Sequence, residues 1–176
     1  MTEHSLTPRQ RRLIELWERH VGFEFDTRNT VATLDTMVPH AYVNHVPVMT
    51  GGRGRDELCE FYGNSFIPQM PADTRMTPIS RTVDDNRLVD EMIFEFTHNI
   101  PMPWMLPGVF PTGKPVKVAL VAIVGFEGDQ LAHEQIYWDQ ASVLVQLGLL
   151  DPAGLPVCGA ESAEKALDPT LPARML

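Results

Sequence analysis

Two runs of alternating residues, 115–126 and 130–138, flank Glu127-Gly128-Asp129, and this pairing constrains the chain more than any other feature. Side chains alternate across a strand, so residues two apart share a face. A short Gly-containing turn between two such runs predicts an antiparallel hairpin. Val118, Leu120, Ala122 and Val124 fall on one face of the first run, and Val121 and Ile123 on the other. A strand apolar on both sides needs cover on both sides. Upstream, 74–82 and 87–98 repeat the period of two around the turn Asp84-Asp85-Asn86. In the longer run Met92, Phe94 and Phe96 alternate with Glu91, Ile93 and Glu95. The second half of the chain therefore reads as a four-stranded meander.

The first half changes to a helical period. Thr7-Pro8-Arg9-Gln10 is a helix start, with Thr7 as cap, Pro8 at the first helical position and Gln10 closing a capping box. Leu13, Leu16, Trp17 and Val21 continue it to about Phe23. Asp26 restarts a short helix burying Val31, Leu34 and Met37, which Pro39 ends. Residues 42–47 read as extended, Gly51-Gly52-Arg53-Gly54 as a loop, and Arg55 to about Asn64 as a third helix. Residues 99–114 form a loop with an unusual load of large apolar groups, Trp104, Met105, Leu106 and Phe110 among them. Gln140 to Leu147 is a last helix stopped by Gly148, with Asp139 most simply its N-cap. Helices followed by an antiparallel meander make an α+β domain. Residues 1–152 read as one domain and 153–176 as an extended C-terminal tail.

The composition, 44% hydrophobic and 21% charged over 176 residues, is that of a globular domain with a full core. A net charge of −9 disfavours a phosphate backbone, so no nucleic-acid partner is expected. Two cysteines far apart supply neither a disulfide framework nor a zinc site. Met1-Thr2-Glu3-His4 lacks the apolar stretch of a signal peptide, and no apolar run approaches a membrane span. A cytoplasmic protein is expected, with no membrane partner.

Two motifs carry a resemblance. One is Leu106-Pro107-Gly108 with Pro111-Thr112-Gly113-Lys114-Pro115, leading into an apolar strand. The other is Gly128-Asp129-Gln130-Leu131-Ala132-His133-Glu134, then Tyr137-Trp138-Asp139-Gln140 and Gln146-Leu147-Gly148. With the order of elements, these make residues 10–152 resemble the nuclear-transport-factor-2-like superfamily, in its SnoaL-like, polyketide-cyclase-like branch. Members related to a domain found beside dienelactone hydrolases look closest. The resemblance implies a cystatin-like cone, with N-terminal helices packed on a bent antiparallel sheet. It does not carry the cyclase chemistry. The catalytic Asp of those enzymes falls on Ile136 here, and their assisting His falls on Ala122.

The same alignment gives the faces. If Ala122 and Ile136 point inward, so do Val118, Leu120, Val124, Glu134 and Trp138. His133 and Tyr137 then point to the outer face, which a second copy of the chain would cover as a homodimer. Met92, Phe94 and Phe96 pointing inward would bring Asp90 and His98 with them. Tyr42 and His45 stand on the segment that lines the cone mouth in relatives, and the greasy loop with Trp104 suits a lid. Glu134 among apolar side chains is expected to have a raised pKa, by desolvation. The competing reading makes it a structural acceptor for a backbone group or for Arg81. His45, His98 and Glu134 could in principle ligate a metal, but no local motif supports one, and no metal or cofactor is expected.

The functional expectation is a cofactor-independent acid/base enzyme acting on a small hydrophobic molecule, of isomerase, hydratase/lyase, cyclase or hydrolase type. Glu134, His98 and His45 would carry the chemistry, with Tyr42, Asp90, Phe94, Phe96, Trp104, Ile136 and Trp138 shaping the pocket. The alternative is a non-catalytic small-molecule-binding or dimerisation module working with a separate hydrolase.

Overall fold

The computed structural model describes residues 6–174. The expectation drawn from Met1 to His4 lies outside the described residues. Thr7 caps helix α1 (Pro8–Phe25) with the full capping box, and its apolar stripe buries Leu13, Leu16 and Trp17. The short α2 (Thr30–Asp35) is capped by Asn29 and buries Leu34. Val31 is 63% exposed, so the apolar face expected there is narrower.

Two strands precede the meander. β1 (Met37–His45) begins where a helix end was expected, and it accommodates Pro39 by a register break between Met37 and Tyr42. Pro39 has no N–H for a ladder and sits at that irregularity. β2 (Thr50–Arg53) occupies the expected loop and pairs antiparallel with β1. Gly51 makes this possible. Its φ is +141°, and a Cβ there would lie 2.0 Å from the carbonyl oxygen of Val43. The glycines mark a close backbone approach, not a free loop.

Helix α3 (Gly54–Glu60) runs on into a π-helical turn, Phe61–Phe66, which turns Phe61, Tyr62 and Phe66 inward together. The meander follows as β3 (Arg75–Val83), β4 (Arg87–Thr97), β5 (Pro115–Glu127) and β6 (Gln130–Trp138). The six strands order β2-β1-β6-β5-β4-β3, antiparallel except that β1 runs parallel to β6. A bulge between Gly125 and Phe126 adds a residue to β6 before His133. Beyond it Val124 faces Glu134, Ala122 faces Ile136 and Leu120 faces Trp138, so all six share the buried face. Helices α1 to α3 and the loop 99–114 close over that face. The loop belongs to the core, with Met102, Trp104, Met105 and Leu106 at most 2% exposed.

Asp139 caps α4 (Gln140–Leu147) through Ser142 N–H, and Gly148 ends it in the left-handed conformation. Gln146 uses its side-chain amide to bond both the N–H and the C=O of Lys117, continuing the sheet where β6 has ended. The tail is not simply extended. It forms helix α5 (Glu161–Leu167), which packs against β5, while Ser142 donates to the Gly159 carbonyl. Ala163 of α5 is fully buried, and so is Ile93 on the outward face of β4. The chain thus covers one end of its own outer sheet face. No described helix is long and apolar enough to cross a membrane.

Candidate functional site

A cavity of about 320 Å³ opens between α1 and the β3–β4 pair and reaches down to β1 and β6. That volume suits a small organic ligand. Its walls mix aromatic side chains, Phe25, Phe61, Phe66, Phe94 and Trp104 among them, with aliphatic ones such as Val43, Leu120 and Ile136. Phe66 packs on Trp104 with ring centroids 5.0 Å apart, and Phe94 on Trp104 at 5.9 Å.

A buried charge cluster stands at one side. His20 and Glu24 are four residues apart on α1 and share a face. His20 Nε2 lies 3.2 Å from Glu24 Oε1 and 3.1 Å from Glu134 Oε1. Tyr62 donates its hydroxyl to Glu134 Oε1 at 2.9 Å. Behind the ring, His20 Nδ1 meets Thr36 Oγ1 at 2.6 Å, and that hydroxyl donates to the Thr33 carbonyl. Thr36 must therefore accept from His20, whose Nε2 faces two carboxylates. The geometry is that of an imidazolium.

The ionisation preferences follow. Burial by itself would lower the His20 pKa, but Glu134 and Glu24 outweigh it and push it up to about 10. Burial raises Glu134, yet His20, Tyr62 and His45 overcome it, and its pKa is lowered. The rise expected for this carboxyl from desolvation is therefore reversed, by a cation from α1. Glu24 goes the other way, raised by burial with a contribution from Glu134. Tyr62 is raised by burial and both carboxylates. Two carboxyl groups sharing one imidazolium are driven apart, one toward the carboxylate and one toward the acid.

His45 is the second polar group of the wall. Its Nδ1 lies 3.3 Å from the Trp104 carbonyl, which also accepts from Thr50 Oγ1. Nδ1 is thus the protonated nitrogen. Burial lowers the His45 pKa to about 4, so the ring is neutral. Among the described residues no donor reaches His45 Nε2 or Glu134 Oε2.

At the mouth, Arg81 clamps Asp90 through two bonds, Nε to Oδ1 at 2.7 Å and Nη2 to Oδ2 at 2.8 Å. The same guanidinium donates to Glu18, and Trp17 Nε1 donates to Asp90 Oδ2. This network ties α1 to β3 and β4 and fixes the rim. Arg81 partners Asp90 and Glu18, not Glu134.

The residues expected from the sequence divide. Glu134, His45, Asp90, Phe94, Trp104 and Ile136 line the cavity. Trp138 lies behind His45, ring to ring at 5.5 Å, and Phe96 behind Phe94 at 5.6 Å. Tyr42 is on the outer face, stacked on His133 at 5.1 Å, because β1 pairs parallel to β6 with Tyr42 beside His133. His98 lies off the cavity wall, at the end of β4. Its Nδ1 meets Thr112 Oγ1 at 3.3 Å, and its buried Nε2 has no partner. It cannot assist Glu134. The metal set weighed from the sequence, His45, His98 and Glu134, is therefore not assembled. The donor atoms that do converge are those of His20, Glu24 and Glu134, within 4.8 Å of one another. His20 and Glu24 were missed, although their spacing on the apolar stripe of α1 was a readable signal. Tyr62, within the span expected as a third helix, was missed as well.

Comparison with known proteins agrees with this architecture. The SnoaL-like domain model matches residues 11–134, and the chain belongs to that family. No protein of curated function shows significant sequence similarity to it. Among solved structures, a putative SnoaL-like polyketide cyclase from Jannaschia sp. CCS1 superposes with a TM-score of 0.66. It shares 17% identity over 84% of this chain and 99% of its own. A protein of ketosteroid-isomerase-like fold from Catenulispora acidiphila, in complex with trimethylamine, gives 0.60 at 16% identity, covering 82% of this chain and 96% of its own. TerC, co-crystallised with polyporic acid, gives 0.57 at 14% identity, covering 78% and 98%. At these identities the likeness is one of fold.

Proposed function

We propose that the cavity is a cofactor-independent acid/base site for a small, mostly hydrophobic molecule. The observation that carries this reading is the Glu24–His20–Glu134 arrangement, in which one buried cation separates the ionisation of two carboxyl groups beside an apolar cup. Pairs of titratable groups pushed apart in this way are suited to opposite roles. Glu134, ionised and short of one hydrogen bond, serves as the base. Glu24, held toward the neutral form, serves as the acid. His20 and Tyr62 hold both carboxyls in place, and neutral His45 accepts a hydrogen bond from the ligand through Nε2.

The reaction class that fits is an isomerisation or an addition or elimination of water next to a carbonyl. Glu134 takes a proton from carbon while Glu24 gives one to the developing oxyanion. In an isomerisation Glu134 then returns its proton at a second carbon and Glu24 recovers its own, so the protein ends as it began. Fold neighbours bound to small molecules support a ligand role for the cavity.

The test is a panel of enones, lactones and epoxides, screened by thermal shift for binding and by NMR for conversion. Conversion by the native protein, lost in Glu134→Gln and in Glu24→Gln with the circular dichroism spectrum kept, is the expected result. Full conversion by Glu134→Gln would sink the assignment. Ligands that bind and are never converted would favour the binding module, which the apolar Ala122 and Ile136 at the cyclase positions also favour.

We further propose a homodimer through the outer face around Val121, Ile123 and Tyr137, which α5 leaves partly open. A monomer mass by light scattering would refute it.

A further inference from the structure

The buried charges of the cavity do not balance. Glu24 and Glu134 are each under 5% exposed, and His20 is the one base beside them. Each uncompensated charge in such a setting is costly, so a second cation or a proton must neutralise the remaining carboxylate. Arg81, the cation at the mouth, is already spent on Asp90 and Glu18. The polar atoms left open on the wall, Glu134 Oε2 and His45 Nε2, are both acceptors. Apart from the Glu24 carboxyl itself, which brings no positive charge, the donors on the wall are already engaged, Arg81 and Trp17 with Asp90 and Glu18. Much of the apolar wall is aromatic, Phe25, Phe61, Phe66, Phe94 and Trp104 among it, and ring faces attract cations.

We propose that the cavity binds a small hydrophobic amine as its ammonium ion, in exchange for the proton that otherwise neutralises the second carboxylate of the Glu24–His20–Glu134 cluster. The ammonium donates to Glu134 Oε2 and His45 Nε2, and its hydrocarbon lies against Phe61, Phe66, Phe94 and Trp104. One positive charge enters and one proton leaves, so the buried sum is unchanged. An amine bound this way ionises Glu24 and removes the acid from the cycle proposed above. Hydrophobic amines are then inhibitors of turnover and not substrates. The inference rests on that cavity being the ligand site, but not on any particular reaction.

The experiment compares three ligands of one shape by titration calorimetry: 1-naphthylmethylamine, 1-naphthylmethanol and 1-naphthoate. Each is run near neutral pH in buffers of different ionisation enthalpy, which reads the protons released. The amine is expected to bind about tenfold tighter than the alcohol, with roughly one proton released per ligand, and naphthoate not to bind. Glu24→Gln, which has no proton to exchange, should abolish the proton release. Should that variant not fold, the native comparison decides by itself. Equal affinity of amine and alcohol, binding of naphthoate, or amine binding without proton release overturns the inference and leaves the cavity reading intact. If none of the three binds and the panel of neutral compounds also fails, the cavity reading falls, and this inference with it.

Discussion

Replacing His20 by Gln removes the one cation that holds two buried carboxyls, and the consequence can be worked from the structure. His20 is fully buried, and its pKa rises from 6.5 to about 10. A group whose folded pKa is raised contributes stability that is complete below its unfolded pKa and lost as pH rises through the folded one. For His20 that window runs from about 6.5 to 10. One proton changes stability by about 1.4 kcal/mol per pH unit, so the ceiling over the window is about 5 kcal/mol. The shared carboxyls reduce this figure, because part of the gain belongs to them. Independently, removing one partner of a buried ion pair costs about 3–5 kcal/mol.

Urea unfolding of native protein and His20→Gln between pH 6 and 10 tests both, and Trp17, stacked on His20 at 5.7 Å, gives a local fluorescence signal. The native protein should lose stability steadily above pH 6.5. The variant should start several kcal/mol lower and show a flatter limb. A native profile flat from pH 6.5 to 10, or a variant with the native slope, would refute the imidazolium and with it the assignment of acid and base. On the acid side the sign reverses. His45, lowered to about 4, keeps its stabilising effect above pH 6.5 and loses it as pH falls toward 4.

Two further outcomes concern the frame around the site. Gly51→Ala should cost about 3 kcal/mol by thermal or urea unfolding, because the backbone there is at φ +141° and the new Cβ meets the Val43 carbonyl. A loss below a few tenths would mean that β2 is not held as described. Ala163→Glu should unseat α5 from β5 at a cost of about 2–4 kcal/mol and raise proteolysis of the C-terminal segment, since position 163 is fully buried. Native-like resistance to protease would show that the helix does not pack there.

Most of the meander was legible, because it depends on local pattern. β3 to β6 fall within a residue or two of the expected spans, and the α1 cap and the Asp139 cap were read from side chains that act on their own neighbours. The strands β1 and β2 were only partly legible. Pro39 and the Gly51-Gly52 pair are breakers by local rule; β1 is held as a strand by the distant β6, and β2 in turn by β1. The tail was misjudged for a similar reason. A seven-residue helix has little stability of its own, and α5 exists by packing on β5.

The site divides along the same line. The resemblance to the cyclases put Ala122 and Ile136 inside, and alternation along β5 and β6 carried Glu134 to the same face, where the structure buries it. It could not say what Glu134 would meet. Its partners, His20 and Tyr62, stand 114 and 72 residues away in the chain, on a helix and a π-helical turn that reach it only when the cone closes. Desolvation can be foreseen from an apolar pattern, but the sign of a pKa shift depends on which charges lie within a few ångströms. The sequence by itself determined the hairpin and its alternation, and the resemblance it carries chose the face that holds a carboxyl among apolar side chains. Only the tertiary structure decided that this carboxyl meets His20 and Tyr62, which lower its pKa, that Glu24 shares the same imidazole, and that Tyr42 and His98 lie off the cavity wall.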